Sequence, residues 1–320
     1  MANDYKYRAD VIGRLVPPEV VTGEPSAETL DQWSKKALQM QASLGLMVGT
    51  DGEYRRHELA PALARRGQSG EPPRLADDEA TFALGVAGKR LALKVSLPAP
   101  SDVVRQVAEH AARTGGTYDA DAVAAAAVAA VGAEIEALIA AGTLYVQLNT
   151  SGYDRWLGPA AGDGALDRIK QAAALDQAVL AAVKGPENVR IGLRLGRTGE
   201  QPVWALEGEE RNKLETLFAL PADRLLIDFG LEASDFSVLQ AATRNTHIVL
   251  GLIDSSDKLK QTSDALLKQI DLAAKERDGG LLSVSPRGGF NAASGITWVQ
   301  QRKVLEQTLD VATRWWGFAM

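Results

Sequence analysis

The chain has 320 residues, 46% of them apolar and only 6% aromatic, and a formal net charge of −6. That length can bury a sizeable core, and the acidic balance argues against a general nucleic-acid binder, which needs a net or clustered basic field. The absence of cysteine excludes disulfides, thiolate nucleophiles and every cysteine-containing zinc site.

The opening residues, MANDYKYRADVIGRLVPPEV, hold no leader-like apolar core, so a cytoplasmic location is expected. Strand-like runs follow at 9–15, 44–50, 90–97, 144–149, 189–195, 224–229, 247–253 and 281–285. Most are near-continuous apolar runs, the pattern of parallel strands covered on both faces by helices. Helices are predicted at 27–43 after Ser26, at 101–113, and at 119–141 with Gly142 as C-cap. Further helices are predicted at 164–184, 207–219, 234–243, 256–277 and 296–315. The apolar run 122–133 lies between Asp121 and Glu134 and falls short of the roughly 20 residues a bilayer requires, so no membrane partner is expected. Residues 54–88, rich in Gly, Pro, Arg and Glu, read as an insertion with a poorly defined short element.

Eight strands alternating with helices predict a single domain over 1–320, a (β/α)8 TIM barrel with its insertion after the second strand. A doubly wound open sheet is the structural alternative. No glycine-rich phosphate fingerprint follows any strand, which counts against it.

In a barrel the chemistry sits at the C-terminal strand ends. Those positions carry Arg14; Asp51, Glu53, Arg55 and Arg56; Gln147 and Asn149; Arg194 and Arg197; Asp228; Asp254; and Ser285 with Arg287. Guanidinium groups at a barrel mouth call for an anion or a carboxylate. The purely structural alternative pairs Arg194 with Asp228, and Arg55 or Arg56 with Glu53 or Asp51. Six arginines against four acids leave positive charge over, which points to an anionic ligand. Trp156, after the fourth strand, offers a lid or a stacking face. Of the three histidines, His247 opens a strand and is expected to serve stability, His57 is a loop candidate for proton transfer, and no two of the three, His110 included, have metal-ligand spacing. Trp298, Trp315 and Trp316 are expected in the core or at a subunit interface, and RWWGFAM at 314–320 makes a homodimer plausible.

The motifs RADVIGRL, TDGEYRR, YVQLN, IGLRLGR, VLGLID and SPRGGF, in this order and spacing, resemble the catalytic barrel of cobalamin-independent methionine synthase and its short single-barrel relatives. The resemblance covers about 6–317 and extends to a superfamily that includes uroporphyrinogen decarboxylase. Such proteins hold zinc through a histidine, two cysteines and a glutamate. The matching positions here are Arg194, Gly196, Gly288 and Asp228, so the resemblance implies that the zinc site is lost and no cofactor is needed. The acidic residue that would hold a substrate amino group matches Asn149, a small first-strand residue matches Arg14, and Glu53 keeps its acidic position.

A metal-free enzyme acting on a small anionic substrate is therefore expected. Arg14, Arg194, Arg197 and Arg287 would clamp the anion, with Asp51, Gln147, Asn149 and Trp156 completing the pocket. Asp228 and Glu53 are the candidate acid/base groups, with Arg194 stabilising developing charge. Decarboxylase-type proton chemistry and zinc-independent group transfer, to or from a thiol or pterin, both fit. A degenerate barrel kept for ligand binding or regulation is the non-catalytic alternative.

Overall fold

A computed structural model describes residues 4–21, 23–55, 77–158, 161–183, 185–195, 208–230, 235–290 and 294–317. Seven strands form one parallel sheet in sequential order: β1 Val48–Gly49, β2 Ala92–Pro98, β3 Tyr145–Thr150, β4 Arg190–Leu195, β5 Arg224–Asp228, β6 His247–Ile253 and β7 Leu282–Pro286. Sequential order rules out the doubly wound alternative, whose strand order reverses at a switch point.

Eight α-helices lie among the described residues: α1 Ala27–Leu44, α2 Asp77–Ala87, α3 Pro100–Thr114, α4 Ala120–Ala141, α5 Ala165–Ala182, α6 Gly208–Phe218, α7 Ser263–Glu276 and α8 Trp298–Trp316. Their ends follow local chemistry. Ser26 caps α1 by accepting from the Thr29 amide, and Asp119 caps α4 by accepting from Asp121 and Ala122. Gly142 ends α4 in the left-handed conformation at φ 108°, as expected. Thr297 and Gln300 form a reciprocal capping box at α8.

Several boundaries differ from expectation. Helix α7 starts at Ser263 rather than 256 because the Asp254 carboxylate takes the amides of Ser256, Lys258 and Leu259 and holds them in a loop. Of the helix expected at 234–243, the described residues 235–243 form only a 3₁₀ turn, Ser237–Ala241. The 54–88 segment contains α2, and residues 56–76 lie outside the described residues. Helix α4 extends the 122–133 run to 22 residues, long and apolar enough by length and composition to cross a membrane. It packs against α2, α3 and α5 and buries Val131, Ile135 and Leu138.

Strand alternation sorts side chains into two sets. Leu93, Val95 and Leu97 of β2, Val146 and Leu148 of β3, and Leu225 and Ile227 of β5 join the helices in the main apolar core. The opposite face carries most of the buried polar groups, Lys94, Ser96, Gln147, Arg194, Arg224, Asp228, His247, Ser283 and Ser285, beside two small apolar clusters, one of Ile12, Leu226 and Val249 and one of Tyr7, Val48 and Tyr145. His247 sits at the start of β6, buried against Ser283 Oγ at 2.6 Å. Burial, with Arg224 adding to it, pushes its imidazole well below the usual histidine range, in keeping with a structural role.

The expected first strand, 9–15, reduces to a parallel bridge between Ala9 and Val284. Gly13 at φ 62° leaves the extended path, and the Asp10 carboxylate captures the Val11 amide at 2.8 Å. The segment nonetheless ties the two ends of the sheet. Asp10 N donates to Val284 O and Val284 N to Arg8 O, each at 2.9 Å, while Leu15 N reaches Gly52 O at 3.2 Å, just beyond β1.

A buried ionic cluster holds that segment in place. Lys94 and Asp10 pair at 2.7 Å with both side chains fully buried, and Lys94 Nζ also donates to Val11 O at 3.0 Å. Tyr145 donates its hydroxyl to Asp10 Oδ2 at 3.0 Å, and Arg224 donates to Tyr7 O at 3.0 Å and Ser283 Oγ at 2.8 Å. Burial lowers the Lys94 ammonium to about 8 against the opposing pull of Asp10. Lys94→Met should cost about 3–5 kcal/mol in denaturant unfolding because it strands Asp10 in the interior, and adding Asp10→Leu should recover most of that loss.

Candidate functional site

The C-terminal ends of β3, β4, β5 and β7 meet at one mouth. Asn149 pairs in register with Arg194, and Asp228 with Gly251. Arg194 Nη2 donates to Asp228 Oδ2 at 3.1 Å, and the Gly288 amide donates to Asp228 Oδ1 at 3.0 Å. Asp228 is buried, while the Arg194 side chain keeps 21% of its surface exposed. Two glycines make this possible. A Cβ at Gly251 would lie 2.5 Å from Asp228 Oδ1, and one at Gly288 would lie 3.3 Å from Arg194 Nη2.

The loop after β1 delivers Glu53. Thr50 Oγ1 accepts from the Gly52 amide and Asp51 Oδ1 from the Glu53 amide, so Glu53 takes φ 57°. Gly52, at φ 89°, lies against the Tyr54 ring, which a Cβ would meet at 2.4 Å. The Glu53 carboxylate lies against Gly13, whose Cβ position would be 3.4 Å from Oε1. Gln147 is buried and donates to Asn149 Oδ1 at 2.6 Å. Arg14 is exposed, with its carbonyl held by the Phe290 amide at 2.8 Å, and Arg287 is half-buried after β7.

Thus the expected residues Asn149, Arg194, Asp228 and Gln147 adjoin one another, while Asp51 and Glu53 lie in the loop after β1 and Arg14 ends the first segment, whose Leu15 amide bonds that loop at Gly52 O. Arg197, Arg56 and His57 lie outside the described residues. Arg55 turns away from the mouth to pair with Asp31 of α1 and to cover Phe82. Asp254 is spent on its loop: burial would raise it, but the Ser256 hydroxyl and the loop amides hold its carboxyl below the usual range. One arginine and one acid of the expected set are thus engaged away from the mouth. Arg194 makes the pairing to Asp228 that the structural alternative foresaw.

Trp156 packs edge-on to Tyr153 at 6.3 Å, in the 3₁₀ turn Tyr153–Trp156. Trp315 and Trp316 turn onto their own chain: their indoles donate to Asp271 Oδ1 and Gly279 O, each at 2.9 Å, and Arg8 lies 5.3 Å from the Trp316 ring centroid. Both rings stay partly exposed, and residues 318–320 of the stretch on which a homodimer was expected lie outside the described residues.

Sequence reading missed Asp10, Lys94, Tyr145 and Arg224 beneath the mouth. The signal was present in RLALKVSL: a lysine inside a strand with helices outside must meet a buried partner.

Among the described residues no three His, Cys, Asp or Glu side chains gather closely enough to hold a metal ion. Arg194 and Gly288, which both donate to Asp228, offer zinc no side-chain ligand atom.

The chain matches no protein-family profile and no curated protein. Solved structures resemble it over nearly its whole length. A Listeria monocytogenes protein assigned as a vitamin-B12-independent methionine synthase aligns over 97% of this chain and 98% of its own, with TM-score 0.73 and 20% identity. A B12-independent methionine synthase from Shewanella sp. W3-18-1, in complex with selenomethionine, covers 96% and 97% with TM-score 0.72 and 15% identity. A methyltransferase from Methanosarcina mazei covers 91% and 88% with TM-score 0.64 and 13% identity. The curled seven-stranded parallel sheet and its helices share their fold with these three proteins. At these identities the likeness shows the fold alone.

Among the carboxylates that hold the loop carrying Trp156, Asp176 is the fully buried one. Asp176 of α5 accepts from Tyr153 Oη at 2.7 Å, Ser101 Oγ at 2.8 Å and Ser101 N at 2.9 Å. Burial raises its pKa from the ordinary 3.8 to about 6 despite those donors, with Asp102 adding a smaller push upward. A raised folded-state pKa means that this group's stability contribution is full below about 4 and is lost as pH rises through about 6. Asp176→Asn should remove that decline, worth up to about 1.4 kcal/mol per pH unit across the window. Melting curves of both proteins between pH 4 and 7 check this, and superimposable pH profiles would contradict it.

Proposed function

We propose that this chain is a metal-free, methionine-synthase-like barrel enzyme that acts on a small anionic molecule. The observation that carries this is the Arg194–Asp228 pair with Gly288, which puts a permanent cation and a fixed carboxylate at the strand ends where the resemblance implies a zinc site. The 9–15 segment serves as the eighth strand of a single (β/α)8 domain, supported by its bonds to β7 and to the residues after β1. The 54–88 segment is its insertion. We place the protein in the cytoplasm, with α4 packed among its neighbouring helices.

Nη2 of Arg194 is engaged on Asp228, and Nε is buried without a hydrogen-bond partner among the described residues. That donor, aided by Arg14 and Arg287, receives the substrate anion and stabilises negative charge as it develops. Asp228 is held at both oxygens and faces the substrate as the proton-transfer group; Glu53 does so from the opposite rim. Acid/base lyase chemistry of the decarboxylase type uses these groups directly: the bond from the substrate carbon to its carboxylate breaks, carbon dioxide departs, the electron pair stays on the retained carbon, and Glu53 or Asp228 in its acid form supplies the proton there. Zinc-independent methyl transfer involving a thiol or pterin is the second reading, supported by the fold shared with methyltransferases. A ligand-binding or regulatory barrel is favoured instead only by the internal pairing of Arg194.

Thermal-shift measurement against small carboxylates, sulfonates and phosphates tests the proposal. A ligand at 100 times its Kd should add about 2.7 kcal/mol of apparent stability, and Arg194→Gln should abolish that gain. No response to any anion, or an undiminished one in the variant, would overturn it. Asp228→Asn should retain binding and lose turnover.

A further inference from the structure

Three polar atoms at the mouth are buried and have no hydrogen-bond partner among the described residues: Arg194 Nε, Gln147 Oε1 and Ser285 Oγ. The Gln147 and Ser285 side chains are fully buried. Each such atom costs about 1–3 kcal/mol when left unpaired, so three together mark a place where a bound molecule completes the bonding.

Their positions form one arc. Gln147 Nε2 donates to Asn149 Oδ1, Asn149 pairs in register with Arg194, and Arg194 holds Asp228. Asp228 lies over Gly251, whose neighbour in register on β7 is Ser285. Arg194 Nε can only donate, Gln147 Oε1 can only accept, and Ser285 Oγ can do either.

Resting on the anion-site proposal above, we infer that the pocket selects a carboxylate with a hydroxyl on the adjacent carbon, and that Gln147 determines this specificity. The carboxylate takes Arg194 Nε and the Ser285 hydroxyl. The neighbouring hydroxyl donates to Gln147 Oε1. A plain carboxylate leaves Oε1 unpaired. An α-ammonium would sit beside the Arg194 guanidinium, where Asp228 already accepts from Arg194 and Gly288. A thiol is a weak donor, and a ketone has no proton to donate.

Calorimetric titration with 2-hydroxybutyrate, butyrate and 2-aminobutyrate tests this on the intact chain. The hydroxy acid should bind about tenfold more tightly than either of the others, the scale of one well-made hydrogen bond against an unsatisfied acceptor. In Gln147→Met the advantage of the hydroxy acid over butyrate should shrink to about threefold or less. An unaltered melting temperature of the unliganded variant certifies its fold, and the wild-type ranking needs no variant. Equal binding of the three, or tightest binding of the amino acid, overturns the inference and leaves the anion site standing. So does a protein that responds to sulfonates or phosphates and to none of these three. A protein that binds no anion removes the underlying proposal as well.

Discussion

The fully buried pair of Lys94 and Asp10 is the constraint on which the rest of the molecule depends. Two charges taken out of water are tolerable only with close contact and further hydrogen bonds, and here Tyr145 and the Val11 carbonyl complete the set. The pair does what a regular strand ladder does elsewhere. It fixes an irregular N-terminal segment against β2 and β3, while Arg224 grips the same segment from β5. Arg14 and the backbone beside Glu53 are carried to the mouth by that fixed segment. Interior electrostatics therefore precede mouth chemistry in the causal order.

At the mouth, burial and charge are balanced differently. Asp228 is nearly inaccessible and receives one charged and one backbone donor, whereas Arg194 remains partly open and has donors to spare. A carboxylate so held suits proton transfer at a fixed point, and a guanidinium so held suits an arriving anion. Glycine is essential to both, because side-chain atoms at Gly251 or Gly288 would occupy the space that the pair needs.

Much of the sheet was legible in the sequence because continuous apolar runs such as HIVLGLI are buried on both faces, one against the helices and one inside the curled sheet. Residues 9–15 were legible only in position. Their alternation reads as a strand, but Gly13 and the Asp10 side chain break the ladder that alternation alone implies. At the site, the adjacency of Asn149, Arg194 and Asp228 follows from strand order and was readable. The direction of Arg55 was not, since its partner Asp31 lies on α1, far from any strand-end logic. Nor was the role of Asp254, whose side chain spends itself on three amides of its own loop. Sequence spacing reports which residues reach an end of the sheet. It does not report which of them are already satisfied there.

The central claim is that the Arg194 guanidinium has taken the place of a metal at Asp228. Equilibrium dialysis of the intact chain against zinc, followed by elemental analysis, tests it most directly. The account predicts no stoichiometric uptake in the wild-type protein and none in Asp228→Asn. One zinc per chain, lost when Asp228 is replaced, would contradict it.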